Sequence, residues 1–203
     1  MTLETLGYPR IHPIIQRVCI FLNAIIRWKV DNRLPNQPKM VLVFAPHTTN
    51  WDFIYLMLAA FSIGIRPQWM GKEALFRGPL KWLFVPLGGI PVDRSRRSNH
   101  VTQTVRKIRQ LDQVIIGIAP EATRGKTDFW KSGFYHIAHL AKVPINFAYI
   151  DFPTRTTGFV SGFIPCGDRE ADIKYLRRFY KNKRGKFPQK FGRIRFRSAK
   201  ETD

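Results

Sequence analysis

The sequence has little cysteine, few acidic residues and no long apolar run. Its two cysteines, Cys19 and Cys166, are too few for a disulfide framework or a cysteine-based metal site. This usage suits a reducing compartment. No stretch reaches the roughly 20 apolar residues that a membrane-spanning helix requires. The first ten residues lack the basic start, apolar centre and cleavage site of a secretion signal, so we expect the chain on the cytoplasmic side.

The shortage of acidic residues leaves a large positive charge. Against 14 Asp and Glu stand 34 Lys and Arg, which gives a formal net charge of +20. A charge of this size implies a polyanionic partner, either a nucleic acid or an anionic membrane surface, and composition does not choose between them. With 203 residues and 44% hydrophobic content, the chain can bury one sizeable core, so we expect a single domain.

The most apolar segment near the start, residues 14–28, is interrupted by polar residues at helical spacing. Gln16, Asn23 and Arg27 share one side and leave a wide apolar face on the other. That face comprises Ile14, Ile15, Val18, Leu22, Ile25 and Ile26. The pattern predicts an amphipathic helix that either packs on the domain or lies in a membrane interface.

Residues 41–52, Val-Leu-Val-Phe-Ala-Pro-His-Thr-Thr-Asn-Trp-Asp, are the centre of the chain's organisation. The apolar run predicts a buried strand that Pro46 ends, with His47 at its carboxyl end. Asn50 is the predicted N-cap of a helix, and the turn brings Asp52 under the imidazole. A carboxylate on one ring nitrogen leaves the other to accept a proton, as in a general base. A capped turn with a purely structural polar pair is the alternative interpretation.

Further strand and helix patterns alternate along the chain. They include a buried strand over 114–119, a helix over 133–142 and a strand over 143–150, while a loop is expected over 31–39 and a short last strand over 193–196. Alternation of this kind predicts an α/β fold with a mixed, mostly parallel central sheet flanked by helices.

Polar clusters follow three of the predicted strands. They are His47 with Asp52, Asp93 with Arg94, and Glu121 with Thr123 and Arg124. Strand ends of a parallel sheet converge on one crevice, so we expect these groups to meet. A proton acceptor beside two guanidinium groups suits a substrate that has a hydroxyl to deprotonate and a phosphate to bind.

Four ordered blocks in the chain resemble those of the glycerolipid acyltransferases, the family of 1-acylglycerol-3-phosphate acyltransferases. They are His47-Thr-Thr-Asn-Trp-Asp52, Gly89-Ile-Pro-Val-Asp-Arg94, Pro120-Glu-Ala-Thr-Arg124 and Val143-Pro-Ile145. The resemblance covers about residues 40–145. One block alone is weak evidence, whereas four in order with sensible spacing are strong evidence.

The resemblance implies an O-acyltransferase with a role for each matched residue. His47 would be the general base and Asp52 would orient it. The acceptor site would be formed by Arg94, Glu121, Thr123 and Arg124, with the arginines binding its phosphate. The acyl donor would be a thioester of coenzyme A or acyl carrier protein. The acceptor would be a lysophospholipid, by default 1-acylglycerol-3-phosphate, which gives phosphatidic acid, although another lysolipid or aminolipid stays open. Neither a metal nor a cofactor is expected.

The third block departs from the family pattern at one position. Ala122 stands where the family has glycine. If that glycine serves a positive φ or a close backbone approach to phosphate, the alanine methyl group adds a cost. The departure leaves the class of reaction intact and puts the identity of the acceptor in doubt.

The resemblance also implies work at a bilayer surface. We expect residues 1–39 to form the amphipathic helix and a linker, and residues 40–203 to form the catalytic domain with a basic C-terminal helix and tail. Cations in residues 181–190 would be attracted to anionic lipid at about 1 kcal/mol each. The expected enzyme is peripheral or monotopic, on the cytoplasmic face of the membrane.

Two other functions remain as alternatives. A nucleic-acid-binding protein would explain the charge and would bind in a salt-sensitive way that survives loss of His47. It gives no reason for a His–Asp pair and arginines at strand ends, so nucleic acid is the less favoured partner. A hydrolase could use the same dyad to activate water on a thioester or phosphoester.

Overall fold

The computed structural model of the protein describes residues 9–78, 81–92 and 97–197 and is built on a seven-stranded sheet. The strands run in spatial order β1-β7-β6-β2-β5-β3-β4. Their bounds are β1 Lys29–Arg33, β2 Lys39–Ala45, β3 Gln68–Lys72, β4 Gly89–Val92, β5 Val114–Ile118, β6 Ile145–Asp151 and β7 Thr156–Phe163. The predicted α/β class with a mostly parallel sheet is confirmed.

The central position of β2 follows from its composition. Every residue from Met40 to Ala45 is buried, because helices cover both faces of the sheet. Its neighbours β5 and β6 are both parallel to it, with Val43 opposite Ile118 and Phe147. β6 and β7 form the antiparallel pair. The register places the carboxyl ends of β2 and β5 side by side, as the strand-end argument requires.

Helices form a layer on each face of this sheet. Their bounds are α1 Pro13–Ile25, α2 Asn50–Ser62, α3 Lys81–Phe84, α4 Arg97–Gln110, α5 Gly133–Ala141 and α6 Arg169–Tyr180, with short 3-10 helices at Glu73–Phe76 and Pro188–Lys190. Met40, Leu42 and Phe44 of β2 pack towards α2. Val41 and Val43 pack on the other face, towards α4, α5 and α6.

The helix α1 lies outside α2 with its polar side turned inward. Gln16 Nε2 donates to the carbonyl of Ser62 at 3.2 Å, and Asn23 Nδ2 donates to the carbonyl of Leu58 at 3.3 Å. The apolar face predicted from the sequence is therefore the outer one. Eight large apolar side chains between Ile14 and Ile26 are 38–65% exposed. Of the two predicted fates, packing on the domain is what the structure shows, through Cys19 and the polar side, while the apolar face is left exposed.

Three local predictions also need correction. The N-cap of α2 is Thr49 rather than Asn50. The strand β1 overlaps the expected loop, because its polar sequence gives no strand pattern and its pairing with β7 is distant in the chain. The expected last strand is reduced to one bridge between Trp130 and Phe196. Within the described ranges, no helix has both the length and the apolar character needed to cross a membrane.

Candidate active site

The turn after β2 is held by the side chain of Asp52. Thr49 caps α2, and its hydroxyl accepts from the backbone N–H of Trp51 at 3.4 Å. One carboxylate oxygen of Asp52, Oδ2, accepts from the N–H groups of Thr48 and Thr49 at 2.6 and 2.8 Å. This reciprocal capping satisfies backbone donors at the start of α2. It fixes the carboxylate in the turn that contains His47, two residues after β2 ends.

His47 and Asp52 lie together at the carboxyl end of the central strand. Nδ1 of His47 is 3.7 Å from Oδ2 of Asp52, while the side chains are 16% and 0% exposed. The distance exceeds the 2.7–3.2 Å range of a hydrogen bond. Within the described part of the chain, neither His47 Nδ1 nor Asp52 Oδ1 has a hydrogen-bond partner.

Burial sets the protonation of both groups. Desolvation, followed by the positive charge of Arg124, lowers the pKa of His47 to about 4, so the imidazole is neutral at pH 7. Desolvation raises the pKa of Asp52 to about 6, against the two backbone N–H donors and the charge of Lys186. At pH 7 the pair therefore consists of a neutral imidazole beside an ionised carboxylate.

Glu121 supports the turn from the neighbouring strand. Glu121 lies three residues after the end of β5 and is 2% exposed. Its Oε1 accepts a hydrogen bond from the backbone N–H of His47 at 2.6 Å. Desolvation raises the pKa of Glu121 to about 8, the His47 N–H lowers it, and the charge of Asp52 raises it again. The carboxyl group thus ties the turn after β5 to the turn after β2 from beneath.

The rest of the turn after β5 is open to solvent. Thr123 and Arg124 are exposed, and the Thr123 hydroxyl accepts from the N–H of Gly125 at 3.1 Å. Ala122 has a φ of +55°, the left-handed conformation for which glycine is favoured. The position therefore has the positive φ for which the family's glycine would be suited, and Ala122 adopts it at the steric cost of its methyl group. The structure thus brings five of the six predicted site residues to neighbouring strand ends, while Arg94 lies outside the described residues.

A third element of the site was missed from the sequence: residues 183–197, here called the C-terminal strap. The N–H of Phe187 donates to Thr48 Oγ1 at 3.3 Å. A Cβ on Gly185 would lie 2.7 Å from that same oxygen, so glycine allows the approach. Further on, the N–H of Trp130 donates to the carbonyl of Arg195 at 2.8 Å. The strap therefore contacts the turn after β2 and, at Trp130, the segment that leads from the turn after β5 to α5. A glycine inside a basic run was its one local signal.

No group of three or more His, Cys, Asp or Glu side chains in the described residues is arranged to hold a metal ion. The remaining histidines include His136 and His139 of α5, where Nδ1 of His139 lies 3.4 Å from the carbonyl of Pro165. That the reaction needs neither metal nor cofactor stays a prediction.

Comparison with known proteins adds independent evidence. A curated relative, the 1-acyl-sn-glycerol-3-phosphate acyltransferase of Streptococcus pneumoniae, is 27% identical over 145 residues, which are 69% of this chain and 52% of the relative. The chain thus spans about half the length of that protein. The crystal structure of the 1-acyl-sn-glycerophosphate (LPA) acyltransferase PlsC from Thermotoga maritima matches with a TM-score of 0.58 and 17% identity. That match covers 83% of this chain and 74% of the other, and it shows the fold.

The sequence also matches a family model. The model is described as Acyltransferase and extends over residues 26–150, more than half of the chain. The matched region contains both strand-end turns, with His47 and Asp52 on one and Glu121 on the other. On this match the protein belongs to the acyltransferase family.

Proposed function

We propose that the protein transfers a fatty acyl group from a thioester to the hydroxyl of a lysophospholipid, most simply 1-acylglycerol-3-phosphate, giving phosphatidic acid. One observation carries this proposal. A largely buried imidazole that is neutral at pH 7 lies just beyond the carboxyl end of the central strand, 3.7 Å from a fully buried carboxylate. Such a pair suits the removal of a proton from an alcohol. Both relatives are named as acyltransferases that act on this acceptor.

The proposed reaction proceeds by direct attack. His47 takes the proton of the acceptor hydroxyl while that oxygen bonds to the thioester carbonyl carbon. The tetrahedral intermediate then expels the thiolate as the carbon–sulfur bond breaks, and the imidazolium returns the proton to sulfur. Asp52 stabilises the imidazolium between these steps. Because burial disfavours the charged imidazole, the ionised carboxylate of Asp52 matters most while His47 holds the proton.

The acceptor phosphate is assigned to the exposed groups of the turn after β5. Arg124 combines exposure with a guanidinium group, whose fork geometry suits bidentate phosphate binding. Its charge acts on His47, which supports a position beside the general base. Thr123 shapes the same turn, and Arg94 keeps the phosphate-binding role that the resemblance implies. Glu121 is too deeply buried to meet the acceptor freely, so we assign it to positioning His47.

We place the enzyme at the cytoplasmic face of a membrane as a peripheral or monotopic protein. The outer face of α1 is a large exposed apolar surface, and an isolated soluble domain rarely leaves such a patch uncovered. Trp51 and Ile54 of α2, at the start of the helix that Asp52 caps, are also about half exposed. Trp82 of α3 is 85% exposed. An amphipathic helix and aromatic side chains of this kind lie in the headgroup region of bilayers.

The test is thiol release from palmitoyl-coenzyme A and from a palmitoylated acyl carrier protein, with and without lysophosphatidic acid in vesicles. We expect release that depends on the acceptor and that falls by several orders of magnitude in His47→Ala. His139→Ala, an exposed histidine on α5, is the matched control and should retain the rate. Full activity in His47→Ala would show that His47 is not the general base. Equal release with and without acceptor would make the protein a hydrolase.

A further inference from the structure

The two outer faces of the molecule differ sharply in chemistry. Among the described residues, the exposed large apolar side chains lie in α1, α2 and residues 82–85, apart from Leu140, Ile164 and Tyr175. The opposite layer, beyond the other face of the sheet, contains α6. If α1 rests on lipid as proposed above, α6 is directed towards water. The cations of α6 then face a soluble partner rather than the membrane.

A groove between α6 and the C-terminal strap concentrates these cations. Its cavity volume is about 660 Å³. All five charged residues that line it are basic: Arg177, Arg178, Lys181, Arg193 and Arg195. Nε of Arg177 donates to the carbonyl of Ile194 at 2.7 Å and so holds the strap against the helix. The groove is therefore a fixed feature of the fold with charge of one sign.

Among the described residues, no acid forms an ion pair with the cations on the α6 side of the groove. The acidic residues of α6 and its cap, Asp168, Glu170 and Asp172, lie at the opposite, N-terminal end of the helix. In the described part of the chain, the Arg–acid ion pairs join Arg33 to Asp31 and Arg77 to Glu73. Neither includes a cation of α6. A solvated cationic surface of this kind attracts and orients an anionic partner.

The shape of the charged surface favours an extended partner. Lys174, Arg178 and Lys181 are all exposed and recur at positions i, i+4 and i+7, so they form a row along one side of α6. The row covers about 10 Å of helix at 1.5 Å per residue. An acidic helix laid alongside α6 meets all three cations, whereas a single phosphate group meets one or two.

The groove is also connected to the active site. Tyr180, which contributes to its lining, donates from its hydroxyl to the carbonyl of Val43 on β2 at 2.8 Å. The strap that forms the other wall contacts Thr48 through Gly185 and Phe187. The strap thus connects the groove, which its residues 191–195 line, with the turn that contains His47, which its residues 185–187 contact. That arrangement suits a protein that presents its cargo on a flexible arm.

We propose that the groove and the cationic row of α6 dock an acidic acyl carrier protein, which delivers the acyl thioester from the aqueous side. This inference rests on the proposed acyl transfer and names its donor. The acceptor would arrive from the lipid side and the donor from the opposite side, so the two substrates do not compete for one surface.

The first test compares donors in a charge-reversal variant. Arg178→Glu with Lys181→Glu reverses two exposed cations, and Lys29→Glu with Arg106→Glu makes the same change in net charge on β1 and α4. We expect the groove variant to raise the KM for palmitoyl carrier protein about tenfold relative to the KM for palmitoyl-coenzyme A, since docked charges govern association. The control variant should leave that ratio unchanged. If the Glu variant does not fold, Arg178→Gln with Lys181→Gln should shift the ratio in the same direction.

The second test measures binding without turnover. The enzyme is titrated calorimetrically with a carrier protein that has a free pantetheine thiol and no acyl group. Binding should weaken as salt is raised and be lost in the groove variant alone. An equal loss in the control variant, or an unchanged donor ratio with transfer intact, would overturn docking. The groove variant is also tested for binding to phosphatidylglycerol vesicles and to duplex DNA. If it loses affinity for either of these and still binds the carrier protein, the groove binds lipid or nucleic acid and docking of the carrier is refuted. Groove-dependent carrier binding with no transfer from either donor would instead refute acyl transfer and leave docking standing.

Discussion

The two turns at the carboxyl edge of the sheet share a sequence plan, an apolar strand, a proline and then polar residues, yet their side chains end in different surroundings. After β2, Asp52 is fully buried and His47 nearly so. After β5, Glu121 is buried but Thr123 and Arg124 are exposed. Burial shifts the pKa of a side chain and suits it to proton transfer, whereas an exposed guanidinium keeps its charge at no desolvation cost. Depth therefore separates the proposed proton chemistry from the proposed phosphate binding.

The largest expected effect comes from removing the negative charge of Asp52 in the turn after β2. In Asp52→Asn, the amide oxygen can still accept from Thr48 and Thr49, but the charge that stabilises the imidazolium is gone. We expect kcat to fall roughly 10³-fold with some residual activity, a loss in the range of general acid–base catalysis. Initial rates measure kcat, and a melting curve checks that the variant is folded. Asp112→Asn, at an exposed aspartate before β5, is the isosteric control. An unchanged kcat in Asp52→Asn would mean that His47 works without the carboxylate.

The next effect concerns the carboxyl group that joins the two turns. Folded Glu121 has a pKa raised to about 8 from 4.5, so it keeps a proton that the unfolded chain loses, and its contribution to stability is lost as pH rises. Asp52, with its pKa raised to about 6, is mostly ionised above pH 6.5, and His47, with its pKa lowered to about 4, titrates well below that pH. Between pH 6.5 and 8, Glu121 should therefore lower the free energy of unfolding by about 2 kcal/mol.

Glu121→Gln isolates that contribution. Glutamine still accepts from the His47 N–H but does not titrate, so the variant should lose the decline between pH 6.5 and 8 whatever its absolute stability. Urea unfolding at the two pH values measures the difference. The same decline in the variant would assign the titration to another group.

A smaller effect tests the exposed turn. Arg124→Ala should raise the KM for lysophosphatidic acid about tenfold and leave kcat nearly unchanged, because a partly solvated charge–phosphate contact is worth about 1.4 kcal/mol. A monoacylglycerol acceptor, which has no phosphate, should show no such change. Arg106→Ala on α4 controls for net charge. If Arg124→Ala lowers kcat alone, the proposed division between the turns is wrong.

The smallest effect comes from the strained residue between the buried and exposed parts of the turn after β5. Ala122 has a φ of +55°, so Ala122→Gly relieves the clash of its methyl group. Part of this gain is offset by the greater entropy of glycine in the unfolded chain, and we expect a net stabilisation of about 0.5–1 kcal/mol. Thermal unfolding measures it. Ala119→Gly, where φ is not positive, should destabilise instead.

Local patterns were sufficient for the centre of the fold. The apolar run before Pro46 and the alternation of strands and helices predicted β2, its neighbours and the strand-end clusters. The same patterns placed His47, Asp52, Glu121 and Arg124 at one edge of the sheet. These features depend on residues close together in the chain and on a sheet topology with few alternatives.

Distant contacts decided what the patterns could not. Helical spacing divided α1 into two faces correctly, but the choice of inner face depended on carbonyl acceptors on α2, 35 or more residues away. Likewise, Phe187 reaches Thr48 across 139 residues. The polar residues of β1 carry no strand signal until β7 lies beside them.

The position of β7 between β1 and β6 has a practical consequence for dividing this chain. A fragment cut to the region of family similarity, residues 26–150, would end before β7 begins. It would leave β1 without a neighbouring strand, turn β6 into an exposed edge and lack α6 together with the strap that covers Thr48. The stretch over which the family is recognisable is therefore shorter than the stretch that folds, and fragments for expression should extend through the strap.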